Sequence, residues 1–276
     1  MMKIITDTSA LYSKREADAI GIDVLPLLIT INNKTYTEFE DIMPDELLEM
    51  IKEGGVPTSS QPSLGRTLET LEKYDEDIIV LNMADGLSGT YATTCSAKDT
   101  LERDNIHVIN TMTLCGPHRY LVELAVKLRD EGKSTQEIIN EIHKCMSFSK
   151  SFLIPVDFSF LKRGGRLSPL AAKLGGMLKI VPVLELTRDG KSLDKFAIKK
   201  SEKGAVKAII KEYQSLGVNE NCKIYLTHAG ALDRANRYKE QLSEAFPGTE
   251  IEIIELSPVF ITHGGPGCIA IQMIGK

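Results

Sequence analysis

Short apolar runs alternate along this chain with stretches whose apolar residues recur every three or four positions, and turn-forming residues separate the two. The first kind reads as buried strands and the second as amphipathic helices, and their alternation predicts an α/β protein with a parallel sheet covered on both faces. Strands are expected at 3–8, 24–31, 77–84 and 106–111, and helices at 14–21, 45–53, 64–74, 88–103 and 114–131. Asn32-Asn33 marks a turn after the second strand, and Gly54-Gly55 ends the second helix. Ser134-Thr135-Gln136-Glu137 is a capping box that opens one more helix, to about residue 146.

Beyond residue 150 the rhythm changes. Strands at 151–158, 180–187 and 192–199 follow one another, and Arg188-Asp189-Gly190-Lys191 between the last two carries an Asp-Gly hairpin signal. Helices at 203–216 and 232–245 then alternate with strands at 223–227, 250–256 and 268–274. The expected architecture is two domains. Residues 1–150 form a three-layer α/β/α unit with a mainly parallel sheet, and residues 151–276 an α/β unit with a mixed sheet, with some strand exchange across the boundary.

Composition narrows the function. At 276 residues, 42% of them hydrophobic, the chain is long enough for an extensive core. No apolar run reaches the length of a bilayer span, and the first seven residues read as a strand, not a signal peptide, so a cytoplasmic location is expected. The five cysteines are scattered without a CxxC pair, which argues against a disulfide framework and against zinc; no metal or cofactor is expected. A net charge of −5, no Trp and 6% aromatics argue against nucleic acid.

Four segments could carry chemistry. In Thr262-His263-Gly264-Gly265-Pro266-Gly267, open backbone beside a histidine suits either convergence of N–H groups on an oxygen anion or a plain loop. Pro57-Thr58-Ser59-Ser60-Gln61-Pro62-Ser63 is a dense supply of neutral donors, or a linker in which Ser63 caps the next helix. Asp85-Gly86-Leu87-Ser88-Gly89-Thr90-Tyr91 follows a buried strand, where α/β proteins bind ligands; Ser88 there is an anion ligand or a simple cap. No dinucleotide fingerprint or P-loop is present. Leu161-Lys162-Arg163-Gly164-Gly165-Arg166-Leu167-Ser168-Pro169 sets basic groups around a Gly-Gly turn before a helix, which suits phosphate or carboxylate, or a charged surface loop. His228 reads as a satisfied rim group. A triad of Ser59 or Ser88 with His263 and Asp7 keeps an acyl or ester hydrolase as the alternative, although no GxSxG elbow supports it. Apolar helix stripes such as Leu121, Leu124, Ala125 and Leu128 are core faces or the lining of a lipid cavity.

Taken in order, Thr6-Asp7-Thr8-Ser9, Thr58-Ser59-Ser60-Gln61-Pro62-Ser63, Gly86-Leu87-Ser88-Gly89-Thr90-Tyr91, residues 161–168 and His263-Gly264-Gly265-Pro266-Gly267 resemble the DegV family, across essentially the whole chain. The resemblance implies a non-enzymatic protein that binds one long-chain fatty acid, its tail inside the N-terminal domain and its carboxylate near the domain junction. Similar bacterial members are the lipid-binding subunit of a fatty acid kinase in phospholipid metabolism. They present the carboxylate to a separate ATP-using subunit that makes acyl phosphate. By motif, Ser59, Ser88 and His263 would be carboxylate ligands, with Arg166, Ser60 and Gly89 at the head group or facing the partner. The implied partners are the fatty acid and the kinase subunit, with room for transient membrane contact. This chain departs from the family pattern at Ser59, where threonine is frequent, at Ala270, where glycine is common, and at Ala84-Asp85. A carboxylate at Asp85 would repel the bound one unless it points away.

Overall fold

The computed structural model of the protein describes residues 2–174 and 180–276. In chain order the strands are β1 (Lys3–Asp7), β2 (Asp23–Leu25), β3 (Leu28–Ile31), β4 (Lys34–Thr37), β5 (Thr58–Ser60), β6 (Ile78–Asn82), β7 (Ile106–Asn110), β8 (Ser149–Ile154), β9 (Val181–Leu186), β10 (Leu193–Lys199), β11 (Cys222–His228), β12 (Glu250–Glu255) and β13 (Ile269–Gly275). The helices are α1 (Lys14–Ala19), α2 (Pro44–Lys52), α3 (Leu64–Leu71), α4 (Thr90–Leu101), α5 (Cys115–Asp130), α6 (Thr135–Met146), α7 (Phe158–Gly164), α8 (Glu202–Ser215), α9 (Leu232–Ala245) and α10 (Pro258–Gly264).

Three sheets result. One is fully parallel, in the order β2-β1-β6-β7. A second, β10-β9-β8-β13-β11-β12, is mixed, with β11 and β12 its parallel pair. A small antiparallel sheet, β4-β3-β5, lies apart from both. The α/β class expected from the alternating pattern is the class observed, with a parallel and a mixed sheet.

Side-chain alternation sets the layers. In β6, Ile78 and Val80 pack with Leu71 of α3 and Ala97 of α4, while Ile79 and Leu81 pack with Leu121 and Val122 of α5 and Ile138 of α6. The strand is buried throughout, as a central parallel strand must be. In β13, Ile269, Ile271 and Met273 meet Val206 and Ile209 of α8, while Cys268, just ahead of the strand, and Ala270 and Gln272 line an internal cavity. Helix α5 lies between the sheets. Its Leu121 and Val122 share one apolar cluster with Ile4 of β1, Tyr225 of β11 and Ile274 of β13. The approach is close enough that a Cβ on Gly116 would fall 2.2 Å from Cγ of Tyr225.

Several boundaries differ from the sequence reading, each for a local reason. The expected strand at 24–31 breaks at Pro26, which offers no N–H to a ladder, so β2 joins the parallel sheet and β3 the small one. Asn32 and Asn33 both take positive φ (52° and 61°) and turn β3 into β4. Residues 58–60 form strand β5 against β3, not a loop. The strand expected at 151–158 ends at Ile154, because the Asp157 side chain accepts the Ser159 N–H and caps α7. The helix expected after Pro169 is a short 3-10 turn over Ala171–Leu174; its remainder falls outside the described residues.

Candidate functional site

The cavity has a volume of about 270 Å³ and lies between the mixed sheet, the small sheet and the segment beyond β6. Most of its wall is apolar, including Leu27, Met83, Leu153, Leu161, Val259 and Phe260. Both halves of the chain contribute. At one end polar groups gather from four segments. Ser59 reaches it from β5 and His263 from the last turn of α10, and a hydrogen bond joins Ser59 Oγ to His263 Nε2 at 2.7 Å. Arg166, just past α7, donates from Nε to the Leu87 carbonyl at 3.0 Å and from Nη1 to the Gly164 carbonyl. That first bond sets the guanidinium beside Ser88, whose Oγ is 2.8 Å from the Thr90 hydroxyl.

Two glycines allow this convergence. A Cβ on Gly164 would lie 2.6 Å from Nδ1 of His263, so α7 and α10 come together only because that side chain is absent. At Gly89 a Cβ would fall 2.1 Å from Oε1 of Gln61, whose Nε2 donates to Thr93 Oγ1 at 2.7 Å. Gln61 and Ser60 also line the cavity.

Electrostatically, this end favours an anion over a cation. Burial, and then the charge of Arg166, hold His263 down at about 4, so its imidazole is neutral at pH 7. Arg166 is half-buried and forms no ion pair among the described residues. Among the described residues the result is one cation, one neutral imidazole and several hydroxyls at one end of a mostly apolar chamber. Nucleophilic catalysis is poorly provided for. Among the described residues Nδ1 of His263 has no hydrogen-bond partner, so no acid orients the ring. Asp7 is held elsewhere, accepting from the Ser9 N–H at 3.0 Å, the Met83 N–H at 3.0 Å and Asn82 Nδ2 at 3.2 Å. The thiols in the wall are no better placed. Burial pushes Cys268 up to about 12 and raises Cys115 as well, leaving both protonated.

Comparison with known proteins fits this arrangement. The family model DegV, described as an uncharacterised protein of the DegV family, matches residues 1–276. The chain belongs to the DegV family. A DegV domain-containing protein of Staphylococcus aureus is 28% identical over 277 residues, covering 99% of this chain and 98% of the relative. Among solved structures, a fatty acid binding DegV family protein from Streptococcus agalactiae superposes with a TM-score of 0.89 at 28% identity, covering 100% of this chain and 99% of the other. DegV from Bacillus subtilis, a fatty acid binding protein, gives 0.86 at 27% identity with the same coverage. A DegV family protein from Thermus thermophilus, described by its fatty acid binding, gives 0.89 at 25% identity, again with that coverage.

In this DegV protein the cavity gathers all six of the residues singled out by motif: Ser59, Ser60, Ser88, Gly89, Arg166 and His263. The glycine-rich turn does something other than the N–H groups suggested. The Gly265 N–H goes to the Ile261 carbonyl at 2.9 Å and the Gly267 N–H to the Ala229 carbonyl at 2.8 Å, so neither is free for an anion. His263 stands at the end of a helix, and the glycines after it terminate that helix. The cap position of α4 belongs to Gly89, while Ser88, one residue earlier, accepts the Thr90 N–H of the first turn on its Oγ at 3.3 Å. Asp85 points away from the cavity. It is ion-paired with Lys191, whose hydrogen bond holds the Asp85 carboxyl below the usual carboxylate range. His228 accepts the Ala231 N–H at 3.2 Å, a satisfied rim group.

Sequence reasoning missed part of the wall. Gln272 sits in mid-strand, its Oε1 accepting the Gly116 N–H and its Nε2 donating to the Leu114 carbonyl and to Ser151. A glutamine inside the apolar run Ile-Ala-Ile-Gln-Met-Ile was a readable sign of a buried, partnered polar group. The missed helix α10 also had a sign: Ser257-Pro258 is an N-cap residue followed by proline at the first helical position.

Proposed function

We propose that this protein binds a long-chain fatty acid, with the carboxylate held by Ser59, Ser88 and His263 and the tail in the chamber between the sheets. The observation that carries the reading is the cavity itself, mostly apolar and lined at one end by hydroxyls, a neutral imidazole and the Arg166 cation. A sixteen-carbon tail, at about 0.8 kcal/mol per buried CH₂, offers on the order of 12 kcal/mol before the costs of binding. Affinity therefore comes from the tail, and the polar end has only to orient the head group. The tail then lies against both halves of the chain, and not within residues 1–150 alone. Arg166, with Ser60 and Gly89, flanks the head group.

A carboxylate so held keeps an oxygen able to attack phosphorus, and the hydroxyl–imidazole pair at the polar end, Ser59 with His263, has no acid among the described residues to orient it for attack. We take the protein to be a carrier that presents the acid to a separate ATP-using fatty acid kinase for acyl-phosphate formation. The fatty acid binding of the relatives above supports the first half of this reading.

Native mass spectrometry of gently purified protein should reveal a retained acyl chain. Protein that is repeatedly empty and takes up neither palmitate nor oleate overturns the reading. The double variant Ser59→Ala/His263→Ala should weaken binding about tenfold, worth about 1.4 kcal/mol, while still retaining lipid. Acyl phosphate made from the bound acid by an added kinase subunit tests the second half; lipid bound but never phosphorylated removes the kinase role.

A further inference from the structure

Behind the cavity wall lies a carboxylate with no part in the site so far. Glu38, just past β4, is fully buried. Its Oε1 accepts the Val259 N–H in the first turn of α10 at 2.6 Å, and its Oε2 accepts the Thr8 hydroxyl. Thr8 Oγ1 in turn accepts the Leu27 N–H at 3.0 Å, and the Glu38 N–H donates to the Leu27 carbonyl at 3.0 Å. Leu27 and Val259 both line the cavity. Val259 and His263 are four residues apart on α10, hence on one face, separated by a single turn.

We propose that Glu38 is a positioning residue for the polar end of the cavity, fixing α10, and so His263 against Ser59, to the opposite wall at Leu27. Ionised, the carboxylate accepts from Val259 and Thr8 in charge-assisted bonds; protonation turns one oxygen into a donor, so the bond to Thr8 survives only by reversing and the tie weakens. The charge also sits at the positive end of α10. A buried polar bridge with both donors satisfied holds geometry more rigidly than apolar contact does.

The tie should respond to pH near neutrality. Burial pushes the Glu38 carboxyl up to about 7, against the pull of its donors and with some help from the charge of Asp7. The other titratable group facing it is the Cys115 thiol at the start of α5, raised by its own burial. On the solvent side Arg66 is ion-paired with Glu40, and Lys14, Asp18, Asp23 and Lys73 complete the groove.

This inference deepens the fatty acid reading and rests on it for the ligand half of the test. The experiment follows the ring ¹⁵N resonances of His263 in ligand-free protein, and the carboxylate resonance of [1-¹³C]palmitate in the complex, from pH 5.5 to 8.5. In the unaltered protein both should step with a shared midpoint near 7, and palmitate affinity should rise across it. Glu38→Gln should flatten the step and weaken palmitate about tenfold at pH 8. Thr8→Val, which removes one donor to the carboxylate, should move the midpoint upward. A folded Glu38→Gln protein whose His263 resonances and pH profile superimpose on those of the unaltered protein overturns the proposal. Should that variant fail to fold, an unmoved midpoint in Thr8→Val overturns it instead. If palmitate is never taken up, the carrier reading fails, while the His263 resonances still decide the role of Glu38.

Discussion

A single methyl group added at Gly164 would collide with the imidazole at the polar end of the cavity. This glycine has ordinary helical φ, so alanine suits its backbone and is the better helix former. Its Cβ would nevertheless stand 2.6 Å from Nδ1 of His263 and push the imidazole away from Ser59. Overpacking of this kind costs about 1–3 kcal/mol, and the gain in helix propensity offsets up to about 1 kcal/mol. Gly164→Ala should therefore lower the urea midpoint only slightly and weaken fatty acid binding about tenfold. Binding unchanged by fluorescence displacement would show that the ring's position does not matter. The six motif residues were legible as chemistry from their types and order. The contact of Gly164 with His263 was not, since it joins two helices 99 positions apart in sequence, a separation that local pattern does not report.

Among the elements, α10 has the most consequences for so short a helix. It begins with Ser257-Pro258, is tied to Glu38 at Val259, presents His263 in its last turn and ends at Gly265. Gly265 takes φ 79° and ψ 162°, a region essentially closed to other residues, and a Cβ there would lie 2.8 Å from Phe160 of α7. Gly265→Ala should cost about 1–3 kcal/mol through backbone strain and lower Tm by about 2–4 °C for each kcal/mol. A Tm unchanged in differential scanning calorimetry would mean the turn relaxes freely. The strong elements, β6 and the Ser134-capped α6 among them, were readable because burial period and caps act within a few residues. The small sheet was not readable, because β5 has a composition that suits a loop and becomes a strand only by pairing with β3. Likewise the role of the glycine-rich turn, ending a helix, was hidden while α10 itself went unseen.

For the molecule as a whole, buried ionisable groups pull stability in opposite directions with pH. His263 falls from 6.5 to about 4 on folding, and His118 and His228 are also lowered, all chiefly by burial. For each the unfolded chain binds more protons below 6.5, so the contribution is present above 6.5 and is lost on acidification, in the case of His263 as pH falls toward 4. Glu38 does the reverse. Its rise from 4.5 to about 7 means the folded state holds the extra proton, and stability declines as pH rises through that window. In His263→Gln the loss of stability on acidification from pH 6.5 to 4 should shrink by at most about 3 kcal/mol, read from urea midpoints at several pH values. A slope identical to that of the unaltered protein would mean His263 is protonated in the folded state.

The position of α5 governs how the chamber can be reached. Helix α5 packs on β1 and β6 on one side and on β11 and β13 on the other, with Gly116 pressed against Tyr225. Parting the sheets would strip both faces of that helix at once, so hinge opening between them is closed off as a route. The short helices α7 and α10, which meet through Gly164 and His263 beside the polar end, can shift without disturbing that packing.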